Sequence, residues 1–331
     1  MAHLTKREKE VLEYLKSNPA ISQEELADKL KITRSAAAVH ISNLMRKGFI
    51  LGRGYILDER TGIIVIGRTC LEIRARLDDP GIDISCGGIG FSASAELIKQ
   101  RLTPTLFTVL GLDESGEQIF RQLSQMGVNV QHIVRTRSFP TPKKLFVKEG
   151  DAEICRLIVD NNDYQLSKES QKARDDLLKT AKVLLLDAAV AEHEIKRLRT
   201  QIEEHEVLTA IIGSSLTWLR QQGLLQCPHL FLVCHDYELA EFFNVLEMGI
   251  PENCFPLCRK IVKNGLAALI VVFDRQGLVL ATKKEVVFLP ASPLKGTGTA
   301  VSITAGVAGG LAAGYGFRLA ARRALGESEV S

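Results

Sequence analysis

The sequence predicts an α/β protein of two units. A small helical unit ending in a β-hairpin takes residues 1–60, and a large unit over residues 63–325 is built on a mainly parallel sheet with helices on both faces. Three observations lead there. Helix-capping signals followed by apolar residues at 3.6-residue spacing recur three times in the first fifty residues, then give way to two short apolar runs split by Gly52 and Gly54. From Ile63 onward, short runs of Val, Ile and Leu alternate with longer amphipathic stretches, the rhythm of strand, crossover helix and parallel strand. A chain of 331 residues is also too long for one small domain.

In the first unit, Thr5 through Glu8 read as a capping box, and Val11, Leu12 and Leu15 follow at helical spacing. A helix is expected from about Thr5 to Ser17, stopping near Asn18-Pro19. Ser22 through Glu25 form a second box, opening a short helix that carries Leu26, Ala27 and Leu30. After the turn at Lys31-Ile32, Thr33 caps a third helix that ends at Gly48. Its buried stripe is expected to be Ala37, Ile41, Leu44 and Met45, leaving Arg34, Ser35, Ala36, Ala38, Val39, His40, Asn43 and Lys47 on the other face.

Two helices joined by a tight turn, the second one basic, followed by a strand-turn-strand from Phe49 to Leu57, resemble the bacterial winged-helix regulators. The resemblance implies double-stranded DNA as partner. Arg34, Ser35, His40 and Asn43 are then expected at base edges, Lys47 at phosphate, and Arg53 at the wing tip in the minor groove or on phosphate. Charge agrees with this reading. Residues 1–60 hold eleven Lys and Arg against eight Asp and Glu, whereas the remaining 271 residues balance at 31 each. No acid lies between Asp28 and Asp58. A winged helix can instead serve as a protein-docking or dimerisation module, a role that needs no acid-free basic strip.

Composition sets broader bounds. Hydrophobic residues at 46% with 24% charged suit a soluble globular protein. Lys6 through Glu10 crowd the start with charge, unlike a secretory signal, and a cytoplasmic address is expected. Seven scattered cysteines argue against a disulfide framework. Cys227, His229, Cys234, His235, Cys254 and Cys258 can be read as metal ligands, but they lack the paired spacing of structural zinc sites, so no metal is expected. Residues 296–317 are uncharged, and Gly306, Gly310 and Gly314 sit at the four-residue spacing of membrane helix pairs. The richness of that run in Gly, Ser, Thr and Ala favours a buried helix in a soluble fold, and no membrane partner is expected.

In the large unit, strands are expected at residues 63–67, 105–110, 183–186, 207–212, 229–233 and 269–273, with helices at 116–126 and 192–205. The polar stretch 135–165 should add shorter strands to a lid. Several landmarks stand in order along residues 63–320. The opening strand ends at Gly67, and the diglycine Gly87-Gly88 precedes a helix of small residues. Thr108 through Gly116 give a "VGxDxxG"-like segment, followed by Gly127-Val128, Pro140-Thr141-Pro142 and Val159-Asp160-Asn161. Gly296-Thr297-Gly298-Thr299 comes near the end. Together these resemble the ribokinase-like (PfkB-type) carbohydrate kinase family.

What the resemblance implies is then contradicted at its chemical positions. The family ends its Gly-Ala-Gly-Asp motif with the base that takes the substrate's proton; here that position is Thr299, and no acid lies between Glu285 and Glu327. The sugar-binding aspartate becomes Glu72 and the asparagine beyond the diglycine becomes Ser92. The Asn-x-x-Glu that organises Mg²⁺ reads His235-Asp236-Tyr237-Glu238, and the Thr-x-Gly-x-x-Gly nucleotide loop, read from Val272 to Gly277, keeps only its last glycine. Family members carry a further helix beyond the final motif; with the sequence ending at Ser331, that helix is expected to be missing.

The expectation is a degenerate kinase with no catalytic residue and no cofactor. Lys295, Gly296, Thr297, Gly298 and Thr299, together with Gly87 and Gly88, are expected to hold an anionic or sugar-like effector at a helix N-terminus, or else to persist as a relic turn with no ligand. The functional reading is a DNA-binding transcriptional regulator acting as a homodimer or higher homo-oligomer. The alternative is an active sugar or nucleoside kinase, using ATP and Mg²⁺, with an appended regulatory module.

Overall fold

The computed structural model describes residues 4–17, 21–47, 49–50, 62–78, 81–150, 152–159, 168–291 and 299–326. The N-terminal module holds α1 (Lys6–Ser17), α2 (Gln23–Leu30) and α3 (Arg34–Arg46). Each start is capped as its sequence dictates. Thr5 and Glu8 satisfy each other's amides at 2.7 and 3.2 Å. Ser22 and Glu25 do the same, and the Thr33 hydroxyl accepts the Ala36 amide at 3.1 Å. Lys31 ends α2 in the left-handed conformation at φ 52°, which makes the tight turn into α3. Val11, Leu15, Leu26, Leu30, Ile41, Leu44 and Ile50 form the module's core. Met45, expected within the stripe, is 40% exposed. One residue past Leu44, it is turned about 100° around the helix, off the line of Ala37, Ile41 and Leu44. Gly48 and the wing with Arg53 lie outside the described residues.

The large domain opens with β1 (Gly62–Ile66), β2 (Cys70–Arg76), β3 (Ile82–Gly87), α4 (Ile89–Lys99), β4 (Thr105–Gly111), α5 (Glu114–Met126) and β5 (Ile133–Thr136). It continues through β6 (Lys143–Glu149), β7 (Ala152–Val159), α6 (Lys168–Leu178), β8 (Ala181–Asp187), α7 (Ala188–Glu204), β9 (Leu208–Ile212) and α8 (Leu216–Gln221). The last part holds β10 (Leu230–His235), α9 (Asp236–Phe243), α10 (Phe255–Lys263), β11 (Ala268–Phe273), β12 (Gly277–Thr282), β13 (Val286–Pro290), α11 (Ala300–Ala312) and α12 (Phe317–Ala324).

Among the described residues nine strands make the main sheet, in the order β13-β12-β11-β10-β9-β8-β1-β4-β5. From β5 to β11 every pairing is parallel, and β12 and β13 add an antiparallel hairpin. Strands covered on both faces must be apolar throughout, which is why all six residues of β11 are buried. Leu97 of α4, Ile119 of α5, Ile303 of α11 and Ala320 of α12 pack on one face. Leu178 of α6, Leu198 of α7, Leu239 of α9 and Ile261 of α10 pack on the other. A second sheet, β3-β2-β6-β7, is the lid. Only half of that lid was foreseen. The alternating charges of β2 and β3 hide them from an apolar-run search, since both belong to a thin sheet with exposed positions.

The missing C-terminal helix is a second correction. Helix α12 follows α11 and packs closely on it. A Cβ on Gly306 would lie 2.7 Å from the Ala324 Cβ, and one on Gly310 the same distance from the Ala320 Cβ. The four-residue glycine spacing therefore serves helix packing inside this domain. Among the described residues no helix is long and apolar enough to cross a membrane. Gly310→Val, which forces a branched side chain into that contact, is expected to lower stability by about 1–3 kcal/mol in urea denaturation.

Candidate functional site

Two surfaces carry functional side chains. The first is the outward face of α3. With Ala37, Ile41 and Leu44 turned inward, Ser35, Val39, Ser42 and Arg46 face solvent, and Val39 is 58% exposed. Arg34 is exposed and pairs with Glu24 at 3.0 Å. His40 and Asn43 are half-buried on the flank, Asn43 accepting a hydrogen bond from Arg46 at 3.1 Å. Ser42 was missed by sequence reading, although the spacing 35, 39, 42, 46 traces a single helical face and would have found it beside Arg46 of the basic strip.

Lys47 has a different role from the one expected. Its ammonium lies 2.7 Å from both carboxylate oxygens of Glu8, a side chain only 3% exposed. This ion pair engages the ammonium that was expected at phosphate. Burial opposes ionisation of Glu8, but the Lys47 ammonium and the Thr5 amide and hydroxyl outweigh it and hold the carboxyl below its ordinary value of 4.5. A depressed carboxyl adds stability above its unfolded pKa, and that stability is lost as pH falls through the folded value. Lys47→Met strands the buried carboxylate and is expected to destabilise the module by about 2–3 kcal/mol at neutral pH. The loss should shrink on acidification below Glu8's ordinary pKa, as read by thermal unfolding across pH.

The second surface is the edge of the large sheet where the parallel strands end. There α4 crosses the end of β1 at very close range. A Cβ on Gly67 would lie 2.9 Å from the Gly90 Cα, and one on Gly90 would lie 2.6 Å from the Gly67 carbonyl oxygen. Gly88, at φ 88°, brings the first turn of α4 over Arg68. Its amide donates to the Glu72 carboxylate at 3.3 Å, and Glu72 also pairs with Arg74. The position at the α4 N-terminus that suits an anion is thus taken by the chain's own carboxylate. Ser92 is exposed on α4.

Asp187, at the end of β8, was not singled out from the sequence. It is 2% exposed and accepts hydrogen bonds from the Arg68 amide (3.1 Å), the Arg68 Nε (3.2 Å) and the Ala189 amide (3.0 Å). The signal available was an acid closing the apolar run Val183 to Leu186 just ahead of a helix. Between Arg68, Gly88, Lys144, Ile158 and Asp187 the lid leaves a crevice of about 30 Å³. That is room for about one water molecule.

Thr299 N-caps α11: its hydroxyl accepts the Ser302 amide at 3.2 Å. Lys295, Gly296, Thr297 and Gly298 lie outside the described residues. The two positions kept from the metal and nucleotide motifs both have internal work. Glu238 accepts the His235 amide at 2.7 Å and caps α9. Gly277 sits at φ 149°, where any Cβ would collide with the Leu289 carbonyl of β13. His235 stacks on Tyr237 and approaches Asp274 at 3.7 Å. Among the described residues no three His, Cys, Asp or Glu side chains are placed to share a metal ion.

Comparison with known proteins agrees with this layout. The family model "pfkB family carbohydrate kinase" matches residues 63–328, and a winged helix-turn-helix DNA-binding model matches residues 4–50. The chain is 29% identical over 342 residues to the uncharacterized sugar kinase YeiI of Escherichia coli (strain K12), covering 99% of this chain and 94% of that protein. It is 22% identical over 219 residues to the deoxyribokinase of Salmonella typhi, covering 65% and 70%. Among solved structures, the Arabidopsis thaliana ribokinase complexed with ribose and ATP superposes with a TM-score of 0.65 at 16% identity, over 80% of this chain and 90% of that one. Most of the chain thus belongs to the pfkB family of carbohydrate kinases, with a winged helix-turn-helix domain over residues 4–50.

Proposed function

We propose that this chain is a DNA-binding transcriptional regulator whose PfkB domain no longer transfers phosphate and instead senses an effector or pairs two copies. The carrying observation is Thr299. At the position where the family motif ends in aspartate, this chain has a hydroxyl that caps its own helix. A threonine cannot serve as base near neutral pH, and general-base catalysis contributes about 10²–10⁴-fold. The internal use of Glu238 and Gly277 supports the same reading.

An effector fits the crevice only if the lid opens and Glu72 leaves Gly88. Arg68, Lys144 and the α4 amides then favour an anionic, sugar-like molecule, with the stretch from Lys295 to Thr299 as a second candidate contact. Pairing has support in the lid, where all eight residues of β7 are exposed, including Ile154 and Leu157 at 49% and 54%, alongside Ile84 of β3 at 53%. A second copy covering that face would present two α3 helices to two half-sites. A cytoplasmic location suits both tasks.

The second reading is an active sugar kinase, using ATP and Mg²⁺, with an attached DNA-binding module. The near full-length likeness to a protein described as a sugar kinase favours it. A coupled ATP-consumption assay over pentoses, hexoses and nucleosides separates the two. We expect turnover no faster than a protein-free blank; phosphorylation that Thr299→Ala abolishes would establish the kinase. On the DNA side, gel shifts should show salt-sensitive binding that Ser35→Glu or Ser42→Glu weakens at least about tenfold, because each brings a carboxylate onto the face turned toward the polyanion. Salt-independent or absent binding by the unaltered chain would refute the regulator reading.

A further inference from the structure

A second cationic surface lies on the PfkB domain itself, at the end of the sheet opposite the crevice. Parallel strands enter the sheet from that end. The β12–β13 turn also reaches it, because Thr282 pairs with Ala268 at the start of β11. Helix α10 runs back to the same end before β11 begins. Along its exposed side stand Arg259, Lys260 and Lys263, and beside them Lys283 and Lys284 of the hairpin turn. Arg220, at the end of α8, joins them across a cleft of about 490 Å³ floored by Phe242 and Phe243.

These six cations differ from the ion-paired cations of the domain. Lys99, Arg135, Lys179, Arg197 and Arg199 each sit on a carboxylate. None of the six has an ion-pair partner among the described residues; Arg220 and Lys260 rest on the rings of Phe242 and Phe243, at 4.8 and 5.6 Å. The acid within the hairpin turn, Glu285, is already held by Arg318 at 3.1 Å. Like charges gathered on one surface cost free energy, and among the described residues no carboxylate forms an ion pair with any of the six.

The chain from the DNA-binding module enters the sheet at this same end, at Gly62 of β1. Phe49, just past α3, lies 5.6 Å from the ammonium of Lys182 at the start of β8. From β1 to β12 is five strand spacings, about 24 Å, which a duplex covers in about seven base pairs. We infer that this surface is a second DNA contact: it grips the phosphate backbone of the duplex that α3 reads, flanking the site, without reading sequence. The inference rests on the DNA-binding reading of α3.

The test uses the full chain and a labelled random-sequence 40-base-pair duplex, with affinity measured by fluorescence anisotropy from low to high salt. The variant is Arg259→Ala, Lys263→Ala, Lys283→Ala and Lys284→Ala together, all exposed positions, with thermal unfolding as the check that it folds. Each lost phosphate contact should flatten the slope of log affinity against log salt by about 0.9 and weaken binding about eightfold at 0.1 M salt. A control variant removes Arg121, Arg137, Lys172 and Arg275, exposed cations off the lid sheet and away from this surface, and should bind as the unaltered chain does. Unchanged affinity and slope in the first variant, or an equal loss in the control, would overturn the inference. So would a loss of binding to phosphatidylserine vesicles in that variant with DNA affinity intact, which assigns the surface to lipid. If Ser42→Glu leaves binding to this duplex untouched, the underlying reading of α3 fails instead, so the two failures are told apart.

Discussion

The crossing of α4 over the end of β1 is the constraint from which the crevice follows. Backbones that approach this closely allow no side chain on Gly67 or Gly90, and the contact fixes where the first amides of α4 point. Arg68 must then turn aside, and its amide and Nε meet the Asp187 carboxylate from the neighbouring strand. Glu72, one strand further along the chain, reaches back to Gly88. Lid, central strand and helix thus meet at a single junction, which positions Arg68, Glu72, Gly88 and Asp187 around the crevice.

Conserving a fold and conserving its chemistry are separate matters in this molecule. The landmarks that survive are those with geometric duties. Gly277 allows the β12–β13 hairpin to close, Glu238 caps α9, and Asp113 caps α5 while accepting the Thr141 amide and hydroxyl. Burial raises the Asp113 pKa, but the Thr141 hydroxyl and amide, with the Gly116 amide, bring it below its ordinary range. The departures from the family motifs, Glu72, Ser92 and Thr299 among them, fall at positions whose duty the resemblance places toward a ligand. A motif match by itself cannot separate these two kinds of position; hydrogen-bond partners can.

Much of this arrangement was readable from the residues. Local signals were reliable wherever one side chain answers to its own backbone, as at Thr5, Ser22, Thr33 and the left-handed Lys31. The buried parallel strands were equally plain, because burial on two faces demands unbroken apolar runs. Reading failed where a residue answers to a distant one. Lys47 looks like a free cation until Glu8, thirty-nine residues away, is placed beneath it. Asp187 looks like an ordinary helix cap until Arg68 closes on it from 119 residues away. Strands β2 and β3 were lost among charges, and α12 was discounted on the length of sequence left after the last motif, although eight residues suffice for a helix whose alanines pack on the glycines of α11.

Glu72 gives the crevice a property that a simple empty pocket lacks. It is a tethered competitor, held by its own strand beside the Gly88 amide at an effective concentration on the order of millimolar or above. Any anion arriving at α4 must outbid a carboxylate that never diffuses away. Occupancy would then begin only above a concentration set by that internal rival, and weak anions present at low levels would leave the junction shut.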